Sequence, residues 1–212
     1  MKLTFACTAL LVSQISLAFT PINGGYANVF GGRHILSGNL NRSFAKDHYN
    51  NSQYKGGYNG GASLGFKDNP MRYELELSYF KTYMEKLKVN HMMSDHIDGY
   101  HQGLLTFLNA YYDFPELIPT IQPYLGFGVG YTFLETKLGA MVNTESYNLH
   151  IKNDVFAYQG MSGLTYNFAE NYALSLGYRY VLATTTTKLG KNFKANMVNL
   201  GITYRFDEEK YK

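Results

Sequence analysis

Four ionisable residues of opposite charge lie in segments where apolar and polar residues alternate. Two are carboxylates, Glu74 and Glu76, and two are guanidiniums, Arg179 and Arg205. If these segments share a narrow interior, the carboxylates and guanidiniums should pair with each other, because an unpaired buried charge is costly. Such a charge network would hold the strands together as an internal staple.

The other polar residues give little support to catalytic or metal-binding chemistry. His91, His96 and His101 lie near Asp95 and Asp98, but this spacing matches no established metal-ligand signature. No set of serine, histidine and aspartate can be placed on one strand surface as a nucleophilic site. The net charge of +3 is small and scattered, which argues against nucleic acid as a partner. We therefore predict no catalytic residue, no metal site and no cofactor.

The segments that carry the charges have the period-two alternation of β-strands with two unlike faces. The clearest is 71–80, where Tyr and Leu at odd positions alternate with Arg, Glu and Ser at even positions. Similar segments, some of them less regular, lie near 25–36, 58–67, 103–114, 124–133, 155–168, 174–180 and 198–206. Eight antiparallel strands are therefore predicted.

The connections between these strands alternate between short and long. Short ones are predicted at 68–70, 115–119 and 169–171, and long polar loops near 37–56, 84–101, 136–153 and 184–193. This pattern is typical of an up-and-down transmembrane β-barrel with short periplasmic turns and longer outer loops. The interior of an eight-stranded barrel is just wide enough for side chains, which favours a staple without a transport role over free passage.

The N-terminus predicts export. Met1 and Lys2 precede a mostly apolar run, and Ser16 and Ala18 are small residues at the positions that a signal peptidase reads. We predict a cleavable signal peptide at 1–18 and a barrel domain at 19–212. Because Cys7 is the single cysteine, no disulfide is expected in the mature chain.

The orientation of the barrel faces follows from composition. We expect the Leu, Val, Ile, Tyr and Phe row to meet lipid and the Glu, Arg, Ser, Thr and Gly row to line the interior. Gly126, Gly128 and Gly130 then fit a crowded inner row. The alternative is a soluble barrel with the apolar row inside, but its outer surface would be unusually poor in charge. Aromatic residues at strand ends predict a membrane-interface girdle; its members are Tyr112, Phe114, Tyr166 and Phe168.

Five stretches carry a family resemblance: RYELELSY at 72–79, LNAYYDF at 108–114, PYLGFGVGY at 123–131, LGYRY at 176–180 and GITYRF at 201–206. In order and spacing they resemble the small outer-membrane β-barrel superfamily, which includes the transmembrane domain of outer-membrane protein A, the opacity proteins and bacterial surface antigens. The resemblance implies that Gly201, Tyr204 and Phe206 belong to a C-terminal signal for the barrel-assembly machinery. The chain departs from the family pattern because 207–212 follow the terminal aromatic.

The resemblance also implies a function and partners. Some outer-membrane barrels of this size are lipid A deacylases with a His-x-Ser pair, but no histidine here is followed two residues later by serine. We predict a non-enzymatic protein of the Gram-negative outer membrane. It would present long loops as a surface antigen or adhesin, or serve envelope structure; the alternative is a small porin or gated pore. Expected partners are outer-membrane lipid, the assembly machinery, periplasmic chaperones and an extracellular ligand.

Overall fold

In the part of the chain that the structure describes, the regular secondary structure consists of β-strands. This computed structural model describes residues 23–37, 41–44, 47–54, 56–89, 92–93, 96–118, 120–142, 145–184 and 193–206. Among them no helix is long and apolar enough to cross a membrane. The strands are β1 (Gly24–Ser37), β2 (Asn41–Phe44), β3 (Asp47–Tyr54), β4 (Gly57–Asp68), β5 (Met71–Val89), β6 (Met92–Met93), β7 (His96–Asp113), β8 (Ile121–Val142), β9 (Glu145–Asn167), β10 (Tyr172–Ala183) and β11 (Phe193–Arg205).

Eight of these strands close into a barrel. Each of β1, β4, β5, β7, β8, β9, β10 and β11 pairs antiparallel with the next in this series. The last strand, β11, then pairs with β1, from Tyr26 opposite Arg205 to Ser37 opposite Lys194. A closed ladder satisfies backbone groups between strands, which is what allows a sheet to lie in hydrocarbon. The predicted eight-stranded antiparallel up-and-down barrel is confirmed.

The two rims of the barrel differ in the length of their connections. On one rim β4 and β5 are joined by a turn at Asn69 and Pro70, and the connections from β7 to β8 and from β9 to β10 are also short. On the opposite rim β8 and β9 stay paired as far as Val142 opposite Glu145. We call these the short-turn rim and the hairpin rim.

The prediction of long loops on the hairpin rim was wrong for three of the four segments. Range 37–56 contains the β2–β3 hairpin, while β5 and β7 extend into 84–101 and β8 and β9 into 136–153. Alternation in the sequence fades there because a strand outside the membrane has no lipid to face, yet its partner still satisfies its backbone. Most of the fourth segment, 185–192, lies outside the described residues.

The outer face of the barrel is apolar. The Tyr and Leu residues of 73–79 are exposed, as are Leu125, Phe127, Leu174 and Leu200. Their neighbours in sequence point inward, and Glu76 is 1% exposed whereas Leu75 is 55% exposed. The predicted orientation, with the apolar row outside, is therefore confirmed for these strands.

The inner face is not uniformly polar, which corrects the prediction. Carboxylates and their cationic partners occupy its half beside the short-turn rim, but an apolar cluster, with His34 and His101 next to it, occupies the half beside the hairpin rim. Segments such as 103–108 hide this cluster from sequence reasoning, because leucine and phenylalanine occur on both of their faces. The cluster comprises Leu36, Phe80, Leu105, Phe107, Leu134, Val155, Ala157, Val181, Ala183, Ala195 and Met197.

The predicted signal peptide at 1–18 lies outside the described residues, so its cleavage and the boundary with a domain at 19–212 stay predictions. The barrel strands themselves run from Gly24 to Arg205.

Candidate functional site

Glu76 is the centre of a hydrogen-bonded network inside the barrel. Its carboxylate accepts hydrogen bonds from Arg179 of β10 and, at 2.8 Å each, from Ser78 and Asn109. Gln159 of β9 donates to it at 3.3 Å. The ion pair with Arg179 is buried on both sides, and a buried pair needs such additional hydrogen bonds to offset desolvation. The network links β5, β7, β9 and β10 across the interior.

Glu74 lies two residues nearer the short-turn rim and has different partners. Tyr26 of β1 donates a hydrogen bond to it at 2.6 Å, and Tyr111 of β7 donates at 3.3 Å. Arg72 approaches it at 3.5 Å between nitrogen and oxygen. The Arg72 guanidinium also lies 4.6 Å from the centroid of the Tyr111 ring, a cation–π distance.

A second ion cluster lies between these carboxylates and the short-turn rim. Asp113 accepts hydrogen bonds from Lys67 at 2.7 Å and from Arg72 at 2.9 Å, and Lys67 also donates to Gln122 at 3.0 Å. Sequence reasoning did not include these residues in the charge network. Lys67 lies one residue before the end of β4 and Asp113 ends β7, both beside short connections, where charged residues are usually solvated. The alternation in 71–80 places Arg72 on the same inward row as Glu74 and Glu76, and this was the one signal in the sequence that could have identified it.

Arg205 does not join the predicted network. Its guanidinium donates to the side chain of Asn167 at 2.6 Å and to the backbone carbonyl of Glu170 at 3.3 Å. No carboxylate forms an ion pair with it within the described ranges. The expectation that it pairs with Glu74 or Glu76 was wrong, because Arg205 ends β11 at the short-turn rim, against the β9–β10 connection.

A small cavity remains between the charged residues. It has a volume of about 50 Å³ and is lined mainly by polar groups, among them Arg72, Glu74, Tyr124 and Arg179. This volume and lining fit a few water molecules. The apolar cluster lies on the hairpin-rim side of this cavity.

The apolar cluster packs closely against inward glycines of neighbouring strands. Phe107 and Phe80 are fully buried, and each lies over a glycine of a neighbouring strand. A Cβ atom at Gly130 would lie 2.6 Å from the Phe107 ring, and one at Gly103 would lie 2.5 Å from the Phe80 ring. The crowding predicted for the inner glycine row is therefore confirmed.

The rings of two histidines lie next to the Phe80 ring, on the side of the hairpin rim. His34 is hydrogen-bonded to Thr82, and His101 to Thr136 at 2.6 Å. Their rings lie 5.5 and 5.6 Å from the Phe80 ring, measured between centroids. The other members of the predicted histidine cluster fall on residues or side chains outside the description. Among the described residues, no group of three or more potential ligands is arranged to hold a metal ion.

The aromatic residues predicted as a girdle lie at the short-turn rim and contact one another. Tyr112 and Phe114 have centroids 5.0 Å apart, and Tyr166 and Phe168 have centroids 6.3 Å apart. The row continues through Tyr172, which lies 6.2 Å from Phe168 and 5.1 Å from Tyr204. This placement is compatible with a membrane interface, and the interfacial role stays a prediction.

The C-terminal strand closes the barrel. Phe206 follows β11 directly, donates a backbone hydrogen bond to Gly25 at 2.8 Å and lies 5.5 Å from the Tyr204 ring. Gly201 is inside, where a Cβ atom would lie 2.6 Å from the Ser175 hydroxyl. The role of Gly201, Tyr204 and Phe206 as an assembly signal stays a prediction.

The comparison with protein families decides the class of this barrel. The family model described as "Outer membrane protein beta-barrel domain" matches residues 5–206. The chain belongs to this family. It is an outer-membrane β-barrel protein of the Gram-negative type. The polar network described above therefore lies inside a membrane-spanning barrel.

Individual relatives agree with the family but show the fold more than the role. An uncharacterized protein of Brucella abortus is 26% identical over 182 residues, which cover 76% of this chain and 58% of that protein. The chain thus spans little more than half the length of that relative. Neisserial surface protein A has a TM-score of 0.57 at 17% identity, over 86% of this chain and 97% of that one. The outer membrane protease OmpT of Escherichia coli has a TM-score of 0.52 at 8% identity, over 91% and 100%.

Proposed function

We propose that this protein is a closed, non-enzymatic barrel that holds hairpins at the cell surface, as a surface antigen or adhesin or in an envelope-structural role. The observation that carries the proposal is the filling of the interior, with the Glu76–Arg179 pair followed by the apolar cluster. An interior that nothing crosses leaves the outer surface as the place where function resides, and exposed connections commonly carry recognition.

The hairpin rim supports this role because much of its backbone is paired. The β2–β3 hairpin adds to the extended end of β5, with Tyr49 opposite Val89. The β8–β9 hairpin continues well beyond the last inward residues that contact the barrel core. Paired strands lose less conformational freedom on binding than flexible loops do. They therefore form a preorganised surface for an extracellular ligand.

The experiment removes the hairpins and keeps the barrel. In a strain that lacks the gene, one variant has 138–149 replaced by a two-residue turn between the paired residues Lys137 and His150, and a second has 41–54 removed. Both should retain heat-modifiable migration on gels, because the barrel ladder is intact. We expect attachment to epithelial cells to fall while resistance of the envelope to detergent is restored. If both variants restore attachment as fully as the wild type, the adhesin role is wrong; restored detergent resistance would then favour the structural role.

The second candidate is a small porin or gated pore, favoured by the polar half of the interior. In this view the Glu76–Arg179 pair is the gate, because it spans from β5 to β10. Liposome swelling in small sugars distinguishes the candidates. A pore predicts swelling that increases in a Glu76→Gln, Arg179→Met double variant, whereas the closed barrel predicts none in either protein.

The non-enzymatic part of the proposal rests on the site and not on the relatives. The protease OmpT shares the fold, but a likeness at 8% identity carries no activity across. The ion-paired residues inside this barrel, which centre on Glu76, Glu74 and Asp113, lie on the short-turn side of the apolar cluster, away from a substrate at the surface. Incubation of the refolded protein with unfolded polypeptide and with lipid A, followed by mass spectrometry, should give no product.

Export and assembly complete the proposal. We infer cleavage after Ala18, escort by periplasmic chaperones, and insertion by the barrel-assembly machinery through Gly201, Tyr204 and Phe206. N-terminal sequencing of the outer-membrane form should begin at Phe19. Truncation after Phe206 should leave assembly unchanged, whereas Phe206→Ala should slow it.

A further inference from the structure

The charged half of the interior holds more cations than carboxylates. Its described inward residues are four cations and three carboxylates, namely Lys67, Arg72, Arg179 and Arg205 against Glu74, Glu76 and Asp113. Each carboxylate pairs with one or two of the first three cations. The charge of Arg205 is left without an ion-pair partner in the described part of the chain. A net charge in a low-dielectric interior is costly unless an opposite charge lies nearby.

The polar cavity of about 50 Å³ lies close to this surplus charge. Thr203 lines the cavity, and Arg205 is the next inward residue of β11, about 7 Å further along the strand. At such a distance, inside a protein, Coulomb attraction between a cation and an anion is still appreciable. The volume has room for an ion slightly larger than a water molecule, together with one or two waters.

Several groups that line the cavity donate hydrogen bonds and have no partner among the described residues. The Nε–H group of Arg179 is buried and unpaired, although the same guanidinium bonds Glu76 through another nitrogen. The hydroxyls of Tyr124, Thr165 and Ser175 belong to the same wall and form no hydrogen bond with a described residue. Unpaired donors on β8, β9 and β10 therefore surround one small space.

The Tyr124 hydroxyl is held at the cavity wall by two glycines. A Cβ atom at Gly163 of β9 would lie 2.6 Å from the hydroxyl oxygen, and one at Gly177 of β10 would lie closer still. Any larger residue at these positions would displace the hydroxyl. Because Gly177 itself lines the cavity, the two glycines fix a hydrogen-bond donor at its edge.

The chemistry of the wall suits an anion. Glu74, the one carboxylate among the described wall residues, already accepts hydrogen bonds from Tyr26 and Tyr111 and lies 3.5 Å from an Arg72 nitrogen. The guanidiniums of Arg72 and Arg179 also belong to the wall, and guanidiniums only donate. A water molecule needs acceptors for its own hydrogens, whereas an anion accepts from every donor and needs none in return.

We propose that the cavity binds a small monovalent anion of the halide type, held by the Arg179 Nε–H group and by the hydroxyls of Tyr124 and Ser175. Its charge offsets the surplus charge of Arg205, and its hydrogen bonds join β8 to β10 inside the barrel. The site lies in the interior, so it is independent of what the hairpins bind at the surface. A larger anion such as gluconate does not fit a cavity of this volume.

The test compares bromide with gluconate at constant ionic strength, on the full mature protein refolded in phosphatidylcholine vesicles. A halide that binds only the folded barrel lowers the unfolding equilibrium constant, by about tenfold when its concentration is ten times the dissociation constant. Urea unfolding over a series of bromide concentrations measures this change. Because bromide scatters X-rays anomalously, diffraction from crystals grown in bromide should give an anomalous peak in the cavity.

Two substitutions remove single donors. Tyr124→Phe keeps the ring but loses the hydroxyl and should raise the bromide dissociation constant about fivefold. Its matched control is Tyr112→Phe, which removes a hydroxyl from the exposed outer face and should change nothing. Ser175→Ala should have an effect similar to that of Tyr124→Phe. Its control is Ser162→Ala, because Ser162 lies opposite the lipid-facing Leu125.

A third substitution removes the surplus charge. Arg205→Gln should weaken bromide binding about tenfold, since the attraction of the interior for an anion is lost. The matched control is Arg33→Gln, which removes the same charge from the exposed outer surface near the hairpin rim. It should change the dissociation constant by less than about twofold, because an exposed charge is screened by solvent and salt.

Three results would overturn the proposal. Equal unfolding constants in bromide and in gluconate would mean that the cavity holds water only. A response to bromide that is the same in Tyr124→Phe, Ser175→Ala and Arg205→Gln as in the wild type would mean that the halide acts elsewhere. Anomalous peaks outside the cavity, with none inside it, would lead to the same conclusion. Heat-modifiable migration of every variant confirms that the barrel is folded.

Discussion

The two halves of the barrel interior are filled by different chemistry. Beside the short-turn rim, Glu74, Glu76 and Asp113 are held by Arg72, Arg179 and Lys67. Beside the hairpin rim, leucine, valine, phenylalanine and methionine side chains pack together in an apolar cluster. In the first half, specific ion pairs join the strands, whereas in the second half the bulk of the apolar side chains closes the interior. The difference teaches that closure does not depend on the ion pairs alone.

Removing one partner of the buried ion pair in the charged half should cause the largest loss of unfolding free energy. Glu76→Ala leaves Arg179 buried without its carboxylate, and such a loss costs about 4 kcal/mol of unfolding free energy. Urea unfolding of the barrel refolded in lipid vesicles measures it. The control is Glu76→Gln combined with Arg179→Met, which removes both charges and should recover most of the loss. If the double variant is as unstable as the single one, the pair is not the source of the stability.

Breaking the apolar half should have the next largest effect. Phe107→Ala opens a cavity in a packed core and should cost about 3 kcal/mol. Its neighbour Leu108 is 63% exposed toward lipid, so Leu108→Ala should cost only the transfer contribution, about 1 kcal/mol. The same unfolding assay compares them. A larger loss for Leu108→Ala would contradict the assignment of inner and outer faces.

Two glycine-to-alanine substitutions test how closely side chains pack inside the barrel. A Cβ atom at Gly130 would lie 2.0 Å from the Thr106 carbonyl oxygen, whereas one at Gly160, on the outside, would meet nothing within 4 Å. Gly130→Ala should therefore destabilise the barrel by about 2 kcal/mol through overpacking. Gly160→Ala serves as the matched control and should be neutral or slightly stabilising. Equal effects would show that the interior has room to spare.

The sequence predicted the outer face better than the inner one. The alternation in 71–80 and 124–133 identified which residues face out, because lipid contact imposes one simple requirement on every position of that row. The inner row meets other side chains, whose identities depend on strand register. For that reason Phe80, Leu105 and Phe107 were not predicted inside, and Lys67 and Asp113 were not recognised as partners.

Register also explains the misplacement of Arg205 and of the strand ends. Glu76 and Arg179 come together because their strands bring them to the same level across the barrel, whereas Arg205 lies nearer the rim. The extensions of β5 and β8 depend on hairpin pairing and not on lipid contact, so no apolar alternation marks them in the sequence.

The smallest expected effect concerns the girdle at the short-turn rim. Phe168 stacks with Tyr172 at 6.2 Å, and Phe168→Ala should cost about 1 kcal/mol of unfolding free energy in lipid vesicles. Phe168→Leu keeps an apolar side chain without the ring. If leucine restores the full stability, the aromatic character of the rim does not matter.

Single-channel recording in planar bilayers tests closure of the interior most directly. Wild type and a Glu74→Gln, Glu76→Gln variant are compared, with correct insertion verified by heat-modifiable migration. Because the apolar cluster remains in both proteins, we predict no conductance steps in either. Stable steps of uniform size, in the wild type or on neutralising the carboxylates, would contradict a barrel closed by its apolar half.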